Sequence, residues 1–342
     1  MSDMVAHSGV LSPVTLDAVR QAFAAHPHAR IAIALSGGGD SAMLALAAVA
    51  VVREAELSAR SVRAFHVHHG LFVEADRWAD HVRALCAGLD LPLDVVHVDV
   101  ARNTGRGIEA AAREARYAAF AQMAADAGID TLWMAHHRDD QAETVLLRLL
   151  RGSGVAGMGG MAAHTHRAGL TLVRPWLDID RDAIRVAAER FAEATGWVPV
   201  DDPSNADAAY TRAAVRTLLA PVLNARWPQW RGILARHARH MREASEILAE
   251  VAEDDLARLE PSPDGASVSL AAWRTLSPAR QRQVLRFWLD RMGARMPTDA
   301  RLGELARQLR QLHSLGHDRQ LRWQHGAFCI VCVRGRICVE KT

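Results

Sequence analysis

The residues best suited to chemistry stand together at Ser36-Gly37-Gly38-Gly39-Asp40-Ser41. Glycines let a main chain turn sharply and come close to an oxyanion, and the flanking hydroxyls of Ser36 and Ser41 can donate hydrogen bonds to it. That composition suits a phosphate cradle. Asp40 is the odd member, because a carboxylate repels phosphate unless a cation lies between them, so Asp40 is assigned to Mg²⁺. The plainer alternative is a glycine-rich turn whose aspartate only caps the next helix.

Three other stretches concentrate reactive side chains. The first is Phe65-His66-Val67-His68-His69-Gly70-Leu71. The second carries Glu109, Arg113 and Arg116 at helical spacing, so two guanidinium forks can point together at a phosphate or carboxylate; a solvated ion-pair helix is the competing account. The third is Ala135-His136-His137-Arg138-Asp139-Asp140-Gln141-Ala142-Glu143-Thr144, in which Asp140, Glu143 and Thr144 share one helical face. Here the plainer account is helix-start carboxylates complementing the dipole, with structural histidines. A zinc site drawn from His66, His69, His136 and His137 is the weaker reading, because no cysteine joins them.

The elements that must hold these residues follow from hydrophobic periodicity. Apolar β-rich runs at Ile31–Leu35, Val62–Val67, Leu93–Val98 and Thr131–Met134 alternate with helical patterns near Ser41–Arg53, Glu74–Gly88, Glu109–Ala127 and Asp140–Leu150. That alternation predicts βαβ crossovers and an α/β fold with a doubly wound parallel sheet, in which ligands gather at the carboxyl ends of the strands. The phosphate loop lies between a strand and a helix, where unpaired amides and the positive helix end attract anions. After a glycine-rich break from Arg151 to Gly160, the pattern resumes with Leu170–Val173 and a helix near Arg181–Ala194. The turn formers Asp201-Asp202-Pro203-Ser204-Asn205 then give way to a mostly helical stretch interrupted at Pro221 and Pro228. Residues 1–217 are expected to form a catalytic domain, 218–260 a helical linker, and 261–342 a small α+β domain. The last contains helices near Pro278–Met292 and Thr298–His313 and a hairpin about Arg334-Gly335.

The strand, the loop Ser-Gly-Gly-Gly-Asp-Ser and the following helix resemble the PP-loop, or N-type ATP pyrophosphatase, superfamily. The further blocks, in order and spacing over roughly residues 28–216, resemble the tRNA(Ile)-lysidine synthetases within it. The resemblance implies an adenine nucleotide alpha-hydrolase-like, Rossmann-like fold and the use of ATP with Mg²⁺. It also implies transfer of free L-lysine to the wobble cytidine of tRNA(Ile) with a CAU anticodon. By the same resemblance Ser36 to Ser41 bind the nucleotide, and Asp40, His136 and Asp140 serve catalysis, His136 as the nearest proton acceptor. Arg113, Arg116, Glu143 and Arg212 would contact substrate, and residues 261–342 would recognise tRNA. Phe72 stands where the family has an arginine, and Ala213 and Ala214 where it has asparagine and a basic residue.

Two other functions remain open at this level. A PP-loop tRNA thiolase would use cysteines such as Cys329 and Cys332, although strand alternation sends that pair to opposite faces. A non-catalytic tRNA- or nucleotide-binding protein would need no intact Ser36, Asp40, Ser41 or Asp140. Composition excludes more. Lys341 is the only lysine, which removes a Walker A loop. Four cysteines in 342 residues make no disulfide framework, no span suits a bilayer, and the net charge is only +2. A cytoplasmic protein with no membrane partner is expected, and assembly as a homodimer is left open.

Overall fold

The computed structural model describes residues 3–27, 29–54, 62–70, 75–100, 108–202, 207–312 and 321–341. The chain divides into two compact units, Met1–His240 and Met241–Thr342.

In the first unit, a 3₁₀ turn (Met4–Val10) and α1 (Pro13–Ala25) lead into β1 (Ile31–Ala34), α2 (Gly39–Glu54), β2 (Val62–His68), α3 (Ala75–Leu89), β3 (Leu93–His97), α4 (Ile108–Ala127), β4 (Thr131–Trp133) and α5 (Arg138–Leu150). Then come α6 (Val155–Met158), β5 (His164–Arg167), β6 (Leu170–Val173), α7 (Arg181–Thr195), α8 (Thr211–Ala214), α9 (Ala220–Arg226) and the first part of α10 (Trp230–Arg258), whose residues from Met241 on belong to the second unit. The six-stranded sheet runs β3-β2-β1-β4-β6-β5, parallel except for the antiparallel edge strand β5. The order reverses between β1 and β4, so the crevice beyond their carboxyl ends is the expected ligand site.

Alternation along the strands builds a core on each face of the sheet. Ile31, Ile33, Ala64 and Trp133 pack into a cluster with residues of α1, α2, α3 and α7, while Ala32, Phe65 and Leu132 pack with Tyr117, Phe120 and Met123 of α4. This is the doubly wound arrangement expected. Helix α2 is buried from Ser41 to Val51, as befits a helix apolar on all sides. The small, unbranched Ala45, Ala47 and Ala48 let it lie close against its neighbours.

Strand β5 differs from expectation. His164-Thr165-His166-Arg167 has no apolar alternation, and three of its four positions are exposed; ladder bonds to β6, not burial, make it a strand.

In the second unit, β7 (Ser267–Ser269), α11 (Leu270–Thr275), α12 (Pro278–Arg291), α13 (Asp299–Gln311), β8 (Leu321–His325), β9 (Phe328–Val333) and β10 (Arg336–Lys341) form an α+β module. Its sheet is antiparallel in the order β7-β10-β9-β8. Arg334 (φ 49°) and Gly335 (φ 76°) are both left-handed, the requirement of a two-residue hairpin turn of the twist-matching type. Trp273, Trp288, Leu302 and Ile337 centre its core.

Candidate functional site

The loop after β1 is held by its own side chains. Ser41 Oγ donates to Gly38 O (3.0 Å) and lies 3.1 Å from Ser36 Oγ, while the amides of Ser36 and Gly38 donate to Ser41 Oγ (3.2 Å) and Ser36 Oγ (3.3 Å). Ser41 is buried and Ser36 exposed, so Ser41 braces the loop while Ser36 faces outward. The first i to i−4 bond of α2 is Ala42 N to Gly38 O (3.1 Å), which leaves the amides of Gly39, Asp40 and Ser41 without intrahelical acceptors at the positive end of the dipole. Gly37 sits at φ +92° and accepts from Val200 N (2.9 Å); a Cβ there would lie 3.1 Å from Val200 and 3.2 Å from Val82. Its glycine therefore serves chain conformation and packing as well as closeness to a ligand.

Opposite the loop, α5 begins with a reciprocal cap. His137 N donates to Asp140 Oδ2 (3.2 Å) and Asp140 N to His137 Nδ1 (3.4 Å). With Nδ1 accepting, the ring proton sits on Nε2, which lies 3.4 Å from both Asp40 Oδ2 and Asp140 Oδ2. Burial opposes charge on His137, but these carboxylates outweigh it and hold its pKa above the ordinary value. Asp140 is buried too, which disfavours its charge, yet the surrounding histidines and Arg212 and Arg216 hold its pKa down. Arg216 grips Glu143 with two bonds (2.6 and 2.9 Å) and Asp140 with a third (3.1 Å). Arg212 donates to Thr144 Oγ1 (3.0 Å). Both arginines come from α8 and the π-helical turn Val215–Leu219 that continues it, an irregularity that recurs at functional sites. Asp139 turns aside to Arg231 (2.6 Å).

His136 lies among Arg113, Arg174 and Arg212. Burial pushes its pKa down to about 4, the three arginines adding to it against the opposing charge of Asp140, so it is a neutral base at pH 7, and its Nδ1 has no partner among the described residues. On the other side of the crevice, Arg116 Nε donates to His69 Nε2 (3.1 Å), and burial followed by the Arg116 charge lowers His69 to about 4. His66 Nδ1 bonds Leu35 O (2.8 Å) and ties β2 to the end of β1.

The structure thus gathers Asp40, Asp140, Glu143 and Arg212 with His137 and Arg216, and places Arg116 beside His69. Arg113 is tied to Tyr117, its Nη2 donating to the hydroxyl at 3.3 Å. The sequence offered His137 only as a structural histidine or a zinc ligand, and gave no sign that Arg216 pairs with the carboxylates of α5. The three-residue interval from His137 to Asp140 is the signal that could have revealed the cap. Among the described residues no group of three His, Cys, Asp or Glu side chains could hold a metal, so the zinc reading is set aside. Ala213 is buried in α8; Phe72 and the side chain of Glu109 lie outside the described residues.

Residues 12–223 match the family model described as PP-loop domain, and residues 269–338 that of the TilS substrate binding domain. The tRNA(Ile)-lysidine synthase of Bordetella pertussis is 56% identical over 312 residues, 91% of this chain and 96% of that protein. This chain belongs to the tRNA(Ile)-lysidine synthase family. Its similarity to the family's protein from Alkalilimnicola ehrlichii is 43% over 92% of this chain and 68% of that one. The fold also matches the U34-tRNA thiolase NcsA from Methanococcus maripaludis with its [4Fe-4S] cluster, at a TM-score of 0.54 and 17% identity, covering 67% of this chain and 78% of that chain. That likeness speaks for the fold alone. Membership of an ATP-using PP-loop family fits the cradle at Ser36 to Ser41. Cys329 and Cys332 are both buried in β9, where burial raises the Cys332 thiol, an unsuitable setting for a sulfur carrier. Among the described residues no helix is long and apolar enough to cross a membrane.

Proposed function

We propose that this chain ligates lysine to C2 of the wobble cytidine of tRNA(Ile) bearing a CAU anticodon, consuming ATP and forming lysidine. The C2 oxygen attacks the α-phosphorus of ATP and pyrophosphate leaves. The lysine amine then attacks C2 and gives up a proton, and AMP departs with the oxygen. The observation that carries this reading is the meeting of a phosphate loop with Asp40, His137 and Asp140 at the switch point of the sheet.

In this mechanism the free amides of Gly39, Asp40 and Ser41, with Ser36 Oγ, hold the nucleotide's phosphates along the line of attack. Asp40 would hold Mg²⁺: its carboxylate is 37% exposed beside those amides, and a lone accessible carboxylate next to a phosphate cradle suits an ion that is commonly held by one or two carboxylates together with substrate phosphates. Magnesium there would neutralise charge on the leaving pyrophosphate. Asp140, fixed by Arg216 and His137, positions the metal or the reacting base. Neutral His136 accepts the proton of the attacking amine. Arg113, Arg116 and Arg212 meet the RNA, and Glu143 acts by orienting Arg216.

We extend the reading to residues 1–217 as catalytic domain, 218–260 as linker and 261–342 as tRNA-recognition domain, in a cytoplasmic protein. Incubation with ATP, Mg²⁺, labelled lysine and isoleucine tRNA should place label in the RNA with one AMP per lysine. AMP formation that proceeds without lysine, or the absence of label, would overturn it.

A further inference from the structure

Beyond the nucleotide crevice, a second charged cluster surrounds Tyr117. This side chain is 5% exposed on α4. Arg167 lies over its ring with the guanidinium carbon 4.0 Å from the centroid, and Arg113 lies at 5.1 Å. Arg174, 6% exposed, donates Nη1 to Ala162 O (2.7 Å) and Thr165 Oγ1 (3.2 Å), but its Nε has no partner. Arg148 donates Nη1 to Gly157 O and Gly160 O, both at 2.7 Å. None of these four guanidinium groups forms an ion pair with a described carboxylate; their bonds go to carbonyls, hydroxyls and a ring face.

Gathered cations of this kind oppose one another. Burial, then the charge of Arg113, pulls Arg148 below its ordinary pKa; burial does the same to Arg174, with Arg113 and Arg148 adding to it against a favourable effect of Tyr117 that is larger than that of either arginine. A protein that keeps uncompensated cations half out of water holds an arrangement that an incoming anion stabilises. The contrast with Arg216, whose charge is matched by Glu143 and Asp140, rules out a general shortage of acids nearby.

We propose that Arg113, Arg148, Arg167 and Arg174 form a site for phosphodiester groups of the RNA substrate, seated on Tyr117 and separate from the loop that holds ATP. The proposal rests on the RNA-modifying reading above and adds Arg148, Arg167 and Arg174 to it. Guanidinium forks match phosphate in shape and charge. ATP has its own cradle of main-chain amides at Ser36 to Ser41. The cluster grades from exposed Arg113 and Arg167 to buried Arg174, so successive phosphates can lead a nucleotide inward from the surface.

Arg167 tests this cleanly, because among the described residues its side chain stacks on Tyr117 and makes no hydrogen bond or ion pair that its loss would break. Binding of isoleucine tRNA to the full chain would be titrated from low to moderate salt for wild type, Arg167→Gln and Arg167→Lys, with ATP and inorganic pyrophosphate titrated separately. Arg167→Gln should weaken tRNA binding about tenfold and reduce the salt slope by about 0.7 to 0.9, one phosphate contact. Arg167→Lys should keep the slope, and affinity for ATP and pyrophosphate should not change. Unchanged tRNA affinity and slope in Arg167→Gln would overturn the proposal, as would a loss confined to ATP or pyrophosphate. If wild type itself neither binds the tRNA nor incorporates lysine, the functional reading falls instead, and this site with it.

Discussion

His136 and His137 are adjacent in sequence and both feel the charge of Asp140, yet they are held in different states. His137 faces Asp40 and Asp140 and is drawn toward its protonated form, whereas burial, with Arg174, Arg212 and Arg113 around it, keeps His136 neutral. The acidic side is closed upon itself: Asp140, Glu143 and Arg216 satisfy one another, and the cap of α5 locks the set in place. The arginine side around Tyr117 is not closed. The difference teaches that the first region is organised before any substrate arrives, while the second waits for negative charge.

The largest effect should come from removing charge on the organised side. Asp40→Asn keeps shape and leaves a half-exposed position, so stability should shift by no more than about 0.5 kcal/mol. Turnover, read as AMP formed with tRNA and lysine present, should fall by about 10²- to 10³-fold if this carboxylate anchors the charge of the reaction. A variant that turns over like wild type would move the reaction centre away from the acidic side.

Next in size is the stability contrast between matched and unmatched arginines. Arg216→Met strands the buried Glu143 and Asp140 and should cost about 3 kcal/mol in urea unfolding, with Glu143→Gln on that background restoring part of it. Arg167→Gln should stay within about 0.5 kcal/mol of wild type, because it removes one exposed stacking contact and breaks no ion pair. Equal losses in the two variants would erase the distinction between the regions.

The parts of this architecture that were legible in sequence are those written locally. The strand-loop-helix at Ile31 to Val51 follows from an unbroken apolar strand, glycines and an alanine-rich helix, and the Arg334-Gly335 turn from its residue types. What escaped depends on distance along the chain. Arg216 and Glu143 are separated by 73 residues, and only the fold reveals that they neutralise each other. Arg148 of α5 and Arg174 at the end of β6 lie 26 residues apart, and only the fold brings them into one cluster with Tyr117. Edge strand β5 escaped for the opposite reason: its polar residues carry no periodic signal, and pairing alone defines it.

The smallest effect, and the most direct probe of the two histidines, is on stability as pH changes. His136 titrates near 4 when folded against an ordinary 6.5, so between those values the unfolded chain binds a proton that the folded chain refuses. Its contribution is present above pH 6.5 and is lost as pH falls toward 4. His137 has the reverse sign. Its folded pKa is raised, so its contribution is complete below pH 6.5 and is lost as pH rises through the folded value. His136→Gln should make the acid limb of a plot of unfolding free energy against pH shallower, leaving the shares of His69, His66 and His164, which are shifted the same way. His137→Gln should flatten the neutral-to-alkaline limb and leave the acid limb alone. Should both replacements change the same limb, the two rings share one environment, and the division between a self-satisfied acidic side and an unfilled cationic side cannot stand.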